Sequence, residues 1–186
     1  MHRSTQPHSL FGGLLLLMAL ASAAAVMAKK GAHVHGLVKL DVAVQAKTLT
    51  VQIQAPLDSL LGFEHRPRTA AQKQAADAVL KQMNDGARLI RPPAAALCKA
   101  GKVTVESETL QATAAAAGTG ARDDGHADLD ATYEFTCEQP DKLGSIEIGL
   151  FEAFKRIQTI EVQVAGANRQ SKVTLKRPDK MLRLGR

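Results

Sequence analysis

Aromatic residues are scarce in this sequence. Its 186 residues include no tryptophan, one tyrosine and five phenylalanines, and aromatics make up 3% of the chain. Proteins that bind single-stranded nucleic acid stack the bases on aromatic side chains. The formal net charge of +6 would suit a nucleic acid, but so few rings leave little on which bases could stack. We therefore expect no nucleic-acid partner.

Signatures of common catalytic sites are also missing. The sequence has no G-x-S-x-G elbow, no H-E-x-x-H pair and no glycine-rich phosphate loop, so it gives no support to a serine hydrolase, a zincin or a nucleotide-binding enzyme. A metallohydrolase built from dispersed histidines and aspartates is the remaining alternative, but the acidic residues show no recognisable catalytic spacing. We predict that the protein is not an enzyme.

Long apolar runs are absent except near the N-terminus. The uncharged stretch 10–28, "LFGGLLLLMALASAAAVMA", follows Arg3 and ends in small residues, which is typical of a secretory signal peptide. We predict cleavage after Ala28 and a single exported α+β domain over 29–186, with no membrane span after cleavage. An uncleaved membrane anchor is the alternative, because the run approaches the roughly 20 residues that cross a bilayer.

Cysteine is rare as well. The chain contains two, Cys98 and Cys137. In an oxidising compartment such a pair is more often a disulfide than a metal site or a catalytic thiol. We predict this disulfide; two separate thiols are the alternative.

Alternation of apolar and polar residues predicts most of the fold. Val34 to Val44 and Leu49 to Ile53 alternate and predict a hairpin that turns near Ala46 and Lys47. Similar patterns follow in 102–107, 126–137 and three later segments. The stretch Ala70–Met83 after Thr69 predicts the one helix. The fold class is therefore α+β: a single, mainly antiparallel sheet of about six or seven strands with this helix packed across it. Segment 111–125 predicts a low-complexity surface loop.

Four histidines remain after the predicted cleavage. His33 and His35 share one face of a strand about 6.5–7 Å apart, and neutral imidazole is the commonest protein ligand of zinc. The other two histidines each lie close to a carboxylate in the sequence. The candidate metal ligands are His33, His35, Glu64, His65, His126 and Asp128. The alternative is that these side chains are merely solvated on a polar face and a loop.

Nitrogen donors favour zinc over calcium or magnesium. Copper and nickel are alternative metals, because both also bind imidazole. Ligation needs neutral imidazole, so affinity is expected to fall below about pH 6.5, the ordinary pKa of histidine.

Several segments in order resemble one known family. They are "AHVHGLVKLDVAV", "QAPLDSLLGFEHRP", "AALC", "HADLDATYEFTC" and "GSIEIGLFEAFKRIQTIEVQV", and together they are similar to the ZrgA-like zinc-regulated periplasmic proteins. The resemblance implies a periplasmic, non-enzymatic zinc-binding accessory of high-affinity zinc import. Its implied partner is a zinc importer or the periplasmic solute-binding protein of that importer.

The resemblance also implies site residues. It places the five matching positions His33, His35, Glu64, His65 and His126 in or beside a zinc site, and it implies a bridge between the two cysteines. One departure is informative: members often have a long loop rich in histidine and acid between the cysteines, whereas this chain has "ATAAAAGTGARDDG" before His126. Zinc binding here therefore depends on a structured site. The rival hypothesis is a periplasmic interaction or structural module with no metal role.

Overall fold

The computed structural model describes residues 34–111, 127–166 and 170–184, and the strands of this part form two sheets. The strands are β1 (Leu37–Gln45), β2 (Thr48–Pro56), β3 (Ile90–Arg91), β4 (Cys98–Glu106), β5 (Asp128–Cys137), β6 (Ser145–Ile148), β7 (Thr159–Ala165), β8 (Gln170–Lys176) and β9 (Met181–Arg183). Six of them form one sheet in the order β4-β5-β2-β1-β7-β8, which is antiparallel except between β1 and β7. The main sheet confirms the mainly antiparallel prediction.

The prediction of a single sheet is wrong, because β3, β6 and β9 form a second, three-stranded sheet. The reason lies partly at Gly149, directly after β6. Its N–H donates to the Leu89 carbonyl at 2.8 Å, and a Cβ at this position would lie 2.3 Å from the Arg88 carbonyl oxygen. This close approach of two backbones holds the end of β6 against the segment that leads into β3.

The predicted hairpin β1–β2 is confirmed together with its turn. Val38, Leu40 and Val42 of β1 are buried, as is the alternate set Leu49, Val51 and Ile53 of β2. Ala46 turns the chain with a positive φ of 50°. The alternate residues of both strands face away from the core, so one face of the hairpin is apolar and the other polar.

Five α-helices occur in the described residues, where the sequence predicts one. They are α1 (Leu57–Leu61), α2 (Ala70–Met83), α3 (Gly86–Leu89), α4 (Glu108–Gln111) and α5 (Leu150–Ala153). Only α2 was predicted, and its bounds are confirmed. Its N-cap, Thr69, accepts from the Gln72 N–H while the Gln72 side chain accepts from the Thr69 N–H, so two otherwise unpaired donors of the first turn are satisfied.

The helix α2 is joined to the main sheet at its last turn. Ala76, Val79 and Met83 are its buried residues, and the hydroxyl of buried Tyr133 on β5 donates to the Met83 carbonyl at 2.7 Å. The hydrogen bond joins the last turn of the helix to the sheet. This contact at one end of α2 does not confirm the prediction that the helix packs across the sheet.

The apolar sides of both sheets and of the helices meet in one buried cluster. It includes Leu40, Tyr133 and Ile160 from the main sheet, Ile148 and Leu182 from the second sheet, and Met83 from α2. Of the predicted loop 111–125, Gln111 ends α4, and the rest lies outside the described residues, as does the predicted leader 1–28.

Candidate metal centre

The H-x-H-G motif lies directly before β1, where Gly36 fixes the backbone. Gly36 has a positive φ of 77°, which side chains rarely tolerate. Its N–H donates to Ser59 Oγ at 3.0 Å, and its carbonyl accepts from the N–H groups of Gln158 and Thr159. His35 therefore projects from an anchored turn and not from the strand predicted for it, which begins only at Leu37, and its side chain is 75% exposed. His33 lies outside the described residues.

A carboxylate that the sequence analysis did not single out lies beside this histidine. Asp58 follows the first residue of α1, and its Oδ2 is 3.8 Å from His35 Nδ1. The Asp58 side chain is 13% exposed. Its Oδ1 accepts from Arg156 Nη2 at 3.2 Å, and its backbone carbonyl accepts from Arg156 Nε at 2.8 Å. A buried carboxylate is thus held between an imidazole and a guanidinium, which offsets the cost of removing its charge from water.

The GFEH motif follows α1 and packs against the same arginine. Gly62 ends α1 in the left-handed conformation with a φ of 87°, and its N–H donates to the Asp58 carbonyl. A Cβ at Gly62 would lie 3.0 Å from Arg156 Cζ, while a Cβ at Gly36 would lie 3.1 Å from the Arg156 carbonyl oxygen. The glycines of both motifs therefore make room for Arg156, which joins the two segments.

His65 and Glu64 lie further along this loop in partly buried positions. The His65 ring stacks on Phe63 with 5.0 Å between centroids, and its Nδ1 lies 2.9 Å from the Arg66 carbonyl oxygen. That contact makes Nδ1 the protonated nitrogen when the ring is neutral and leaves Nε2 as the nitrogen that could bind a metal. Glu64 is half-buried, and its Oε1 is shielded from solvent.

Asp128 enters the same end of the main sheet from β5. It pairs in register with Pro56, the last residue of β2, and the next N–H, of Leu57, donates to the Ala127 carbonyl. Both Asp128 carboxylate oxygens are buried, which limits their access to an ion from solvent. His126 precedes this segment but lies outside the described residues.

The structure thus brings the start of β1, the end of β2 and the start of β5 to one end of the main sheet, as the candidate site requires. No group of three or more His, Cys, Asp or Glu side chains placed to hold a metal ion is found within residues 34–111, 127–166 and 170–184. Of the six predicted ligands, four are described, namely His35, Glu64, His65 and Asp128, and a shared site for them stays a prediction. One pair of possible donors that does lie together is His35 with Asp58.

The disulfide is confirmed. Cys98 and Cys137 are joined with an S–S distance of 2.07 Å, and they face each other in register across β4 and β5. The bridge closes a sequence separation of 39 residues that contains α4 and the segment 112–126. Neither cysteine is therefore available as a thiolate ligand.

A separate groove of about 680 Å³ lies on the polar face of the main sheet. Its lining comes from the second half of β1 and from β2, β7 and β8, and includes Asp41, Gln52, Gln163 and Lys172. The candidate ligands lie at the other end of the sheet, near the start of β1, so this groove is not the candidate metal centre.

A comparison with known protein families agrees with the resemblance that the sequence motifs indicate. A family model described as "ZrgA family zinc uptake protein" matches residues 32–184. The match covers nearly all of the chain after the predicted leader and includes both glycine-bearing motifs and both cysteines. The chain belongs to this zinc uptake family. No curated protein sequence matches it.

Among the described residues, no helix is both long and apolar enough to cross a bilayer.

Proposed function

We propose that this protein is a periplasmic zinc-binding accessory that assists high-affinity zinc import and has no catalytic activity of its own. Family membership gives it a role connected with zinc uptake. The observation that carries the finer proposal is the convergence of His35, Asp58 and the GFEH loop around Arg156 at one end of the sheet. Imidazole and carboxylate are suitable donors for zinc.

Export to the periplasm is supported by two independent features. The family match begins at residue 32, shortly after the predicted cleavage point at Ala28, and the two cysteines are bridged, as is usual for exported proteins. We propose residues 29–186 as the single mature domain. N-terminal sequencing of the protein recovered from the cell envelope tests this, and we expect it to begin at Lys29.

The chemistry proposed for the site is reversible binding. His33 and His35 would supply imidazole nitrogen from the start of β1, with His65, Glu64, His126 and Asp128 as the further candidates. Zinc is the cargo in this proposal, and an importer or its solute-binding protein is the partner that receives it. The low-complexity loop between the cysteines offers Asp123, Asp124 and the adjacent His126 as its only candidate donors, so the binding capacity is expected to be small.

Calorimetric titration with zinc tests the proposal. We compare the wild type with the double variant His33→Ala plus His35→Ala. The control is Gln52→Ala plus Gln54→Ala, which removes two side chains at the same spacing on β2. We expect saturable zinc uptake by the wild type and the control, and at least about a tenfold loss of affinity in the histidine variant. Equal affinity in all three proteins would remove the histidine motif from the site.

A cellular experiment tests the accessory role. A strain that lacks the protein is grown with a zinc chelator and complemented with each variant. We expect the wild type and the glutamine control to restore growth and the histidine variant to restore it poorly. Restoration by the histidine variant would favour an interaction module with no metal role.

A further inference from the structure

We propose that Asp58 is a zinc ligand and that its Oδ2 binds the same ion as His35 Nδ1; this inference rests on the proposed function and identifies a ligand within its site. The two atoms are 3.8 Å apart. That is longer than the roughly 2.7–3.2 Å of an N–H···O hydrogen bond. Two donors that each lie about 2.0–2.1 Å from a tetrahedral zinc ion are about 3.3–3.4 Å apart, so a small rotation of the exposed His35 ring would match this separation.

The carboxylate of Asp58 is already oriented for this role. Arg156 Nη2 donates to Oδ1 at 3.2 Å and leaves Oδ2 on the side of His35. Arg156 Nε also holds the Asp58 backbone carbonyl at 2.8 Å, so both the main chain and the side chain of Asp58 are fixed. The arrangement favours binding through one oxygen, because the second is engaged by the guanidinium.

The backbone that carries His35 is tied to the same helix. Gly36 donates to Ser59 Oγ at 3.0 Å, and Ser59 is fully buried next to Asp58. The two proposed donors therefore project from segments joined by a buried hydrogen bond. Little backbone conformational entropy has to be lost when both bind one cation, which favours affinity.

Asp58 is also better placed for an ion from solvent than Asp128, the aspartate chosen from the sequence. Both carboxylate oxygens of Asp128 are buried, whereas Asp58 Oδ2 faces the exposed His35 ring. A donor set of one imidazole nitrogen and one carboxylate oxygen is suited to zinc rather than to calcium or magnesium, which take mainly oxygen ligands.

The test uses protein purified from cells that express the full chain, labelled with nitrogen-15. Nuclear magnetic resonance of the imidazole nitrogens during zinc titration distinguishes metal binding at Nδ1 from binding at Nε2. We expect His35 to bind zinc through Nδ1. Binding through Nε2 with Nδ1 protonated would overturn the inference, because Asp58 would then only orient the ring.

A matched pair of variants provides the second measurement. Asp58→Asn removes the charge but keeps the size and an oxygen for Arg156, while Asp77→Asn removes one exposed charge from α2. We expect zinc affinity to fall at least about tenfold in Asp58→Asn and to stay unchanged in Asp77→Asn. Unchanged affinity in Asp58→Asn contradicts the inference while the proposed function stands.

Failure of the wild type to bind zinc would contradict the proposed function itself. If Asp58→Asn fails to fold, which circular dichroism would show, the imidazole experiment on the wild type decides the question.

Discussion

Arg156 and Asp58 are joined by two hydrogen bonds, one to the backbone carbonyl and one to the carboxylate of the aspartate, although they are 98 residues apart in the sequence. The pair connects α1 with the segment before β7. Because the glycines of the H-x-H-G and GFEH motifs both pack against Arg156, this arginine organises the end of the sheet at which the candidate ligands lie. Its role suggests why the glycines accompany the histidines in both motifs.

The variant Gly62→Ala is expected to destabilise the fold and to displace Arg156. A φ of 87° costs an L-residue about 1–2 kcal/mol, and the new Cβ would also lie 3.0 Å from Arg156 Cζ. Urea denaturation measures the loss in the free energy of unfolding. Gly144→Ala is the control, since nothing lies within 4 Å of the Cβ it would add. Equal stability of the two variants would show that Gly62 is not required by the packing around Arg156.

The variant Tyr133→Phe is expected to lower the free energy of unfolding by about 1–3 kcal/mol, because the buried Met83 carbonyl loses the hydroxyl that donates to it. Urea denaturation checks this value. Thr136→Val, at an exposed position of the same strand, removes a hydroxyl outside the core and is expected to change little. If Tyr133→Phe lowers the free energy of unfolding no more than Thr136→Val does, the hydrogen bond makes no net contribution to stability.

Tyr133 also provides a spectroscopic test, since it is the sole tyrosine of the chain. Burial raises its pKa above the ordinary value. In an alkaline titration we expect tyrosinate absorbance to rise only together with unfolding, which circular dichroism follows in parallel. Ionisation within the folded protein near the pKa of free tyrosine would contradict the burial of this ring.

Acid is expected to destabilise the second sheet through Glu147. A hydrogen bond from Arg91, followed in importance by one from Lys180, lowers the pKa of Glu147 from 4.5 to about 2. Because the folded pKa is the lower one, the stabilisation is complete above pH 4.5 and is lost as the pH falls towards about 2. We expect Glu147→Gln to be less stable at neutral pH and to lose less stability over this range.

Urea denaturation of both proteins at several pH values measures the effect. Glu106→Gln, at an exposed position on β4 outside this ion-pair network, is the control and is expected to retain the pH dependence of the wild type. A Glu147→Gln variant with an acid dependence as steep as that of the wild type would contradict the assignment.

Local alternation predicted the strands of the main sheet and β6 because each pattern needs only neighbouring residues, whereas the short strands β3 and β9 were not predicted. The buried set Leu129, Ala131, Tyr133, Phe135 and Cys137 on β5 agrees with the period of two in the sequence. Assignment of strands to sheets depends instead on distant contacts, such as the approach of Gly149 to Leu89, and for that reason β6 was placed in the wrong sheet.

The candidate site was predictable only in part for the same reason. His35, Glu64 and His65 are recognisable from residue type and motif. Asp58 was visible in "PLDSLLG", but nothing local distinguished it from a solvated helix residue. Its partner Arg156 comes from another part of the chain, and a single sequence gives no signal for that pairing.

Zinc uptake by the wild-type protein tests the central claim most directly. The purified protein, freed of metal, is dialysed to equilibrium against micromolar zinc at neutral pH, and bound zinc is measured by atomic spectroscopy. The account predicts saturable uptake in a fixed ratio to protein, which the variant His33→Ala plus His35→Ala loses. A wild-type protein that remains metal-free under these conditions would contradict it.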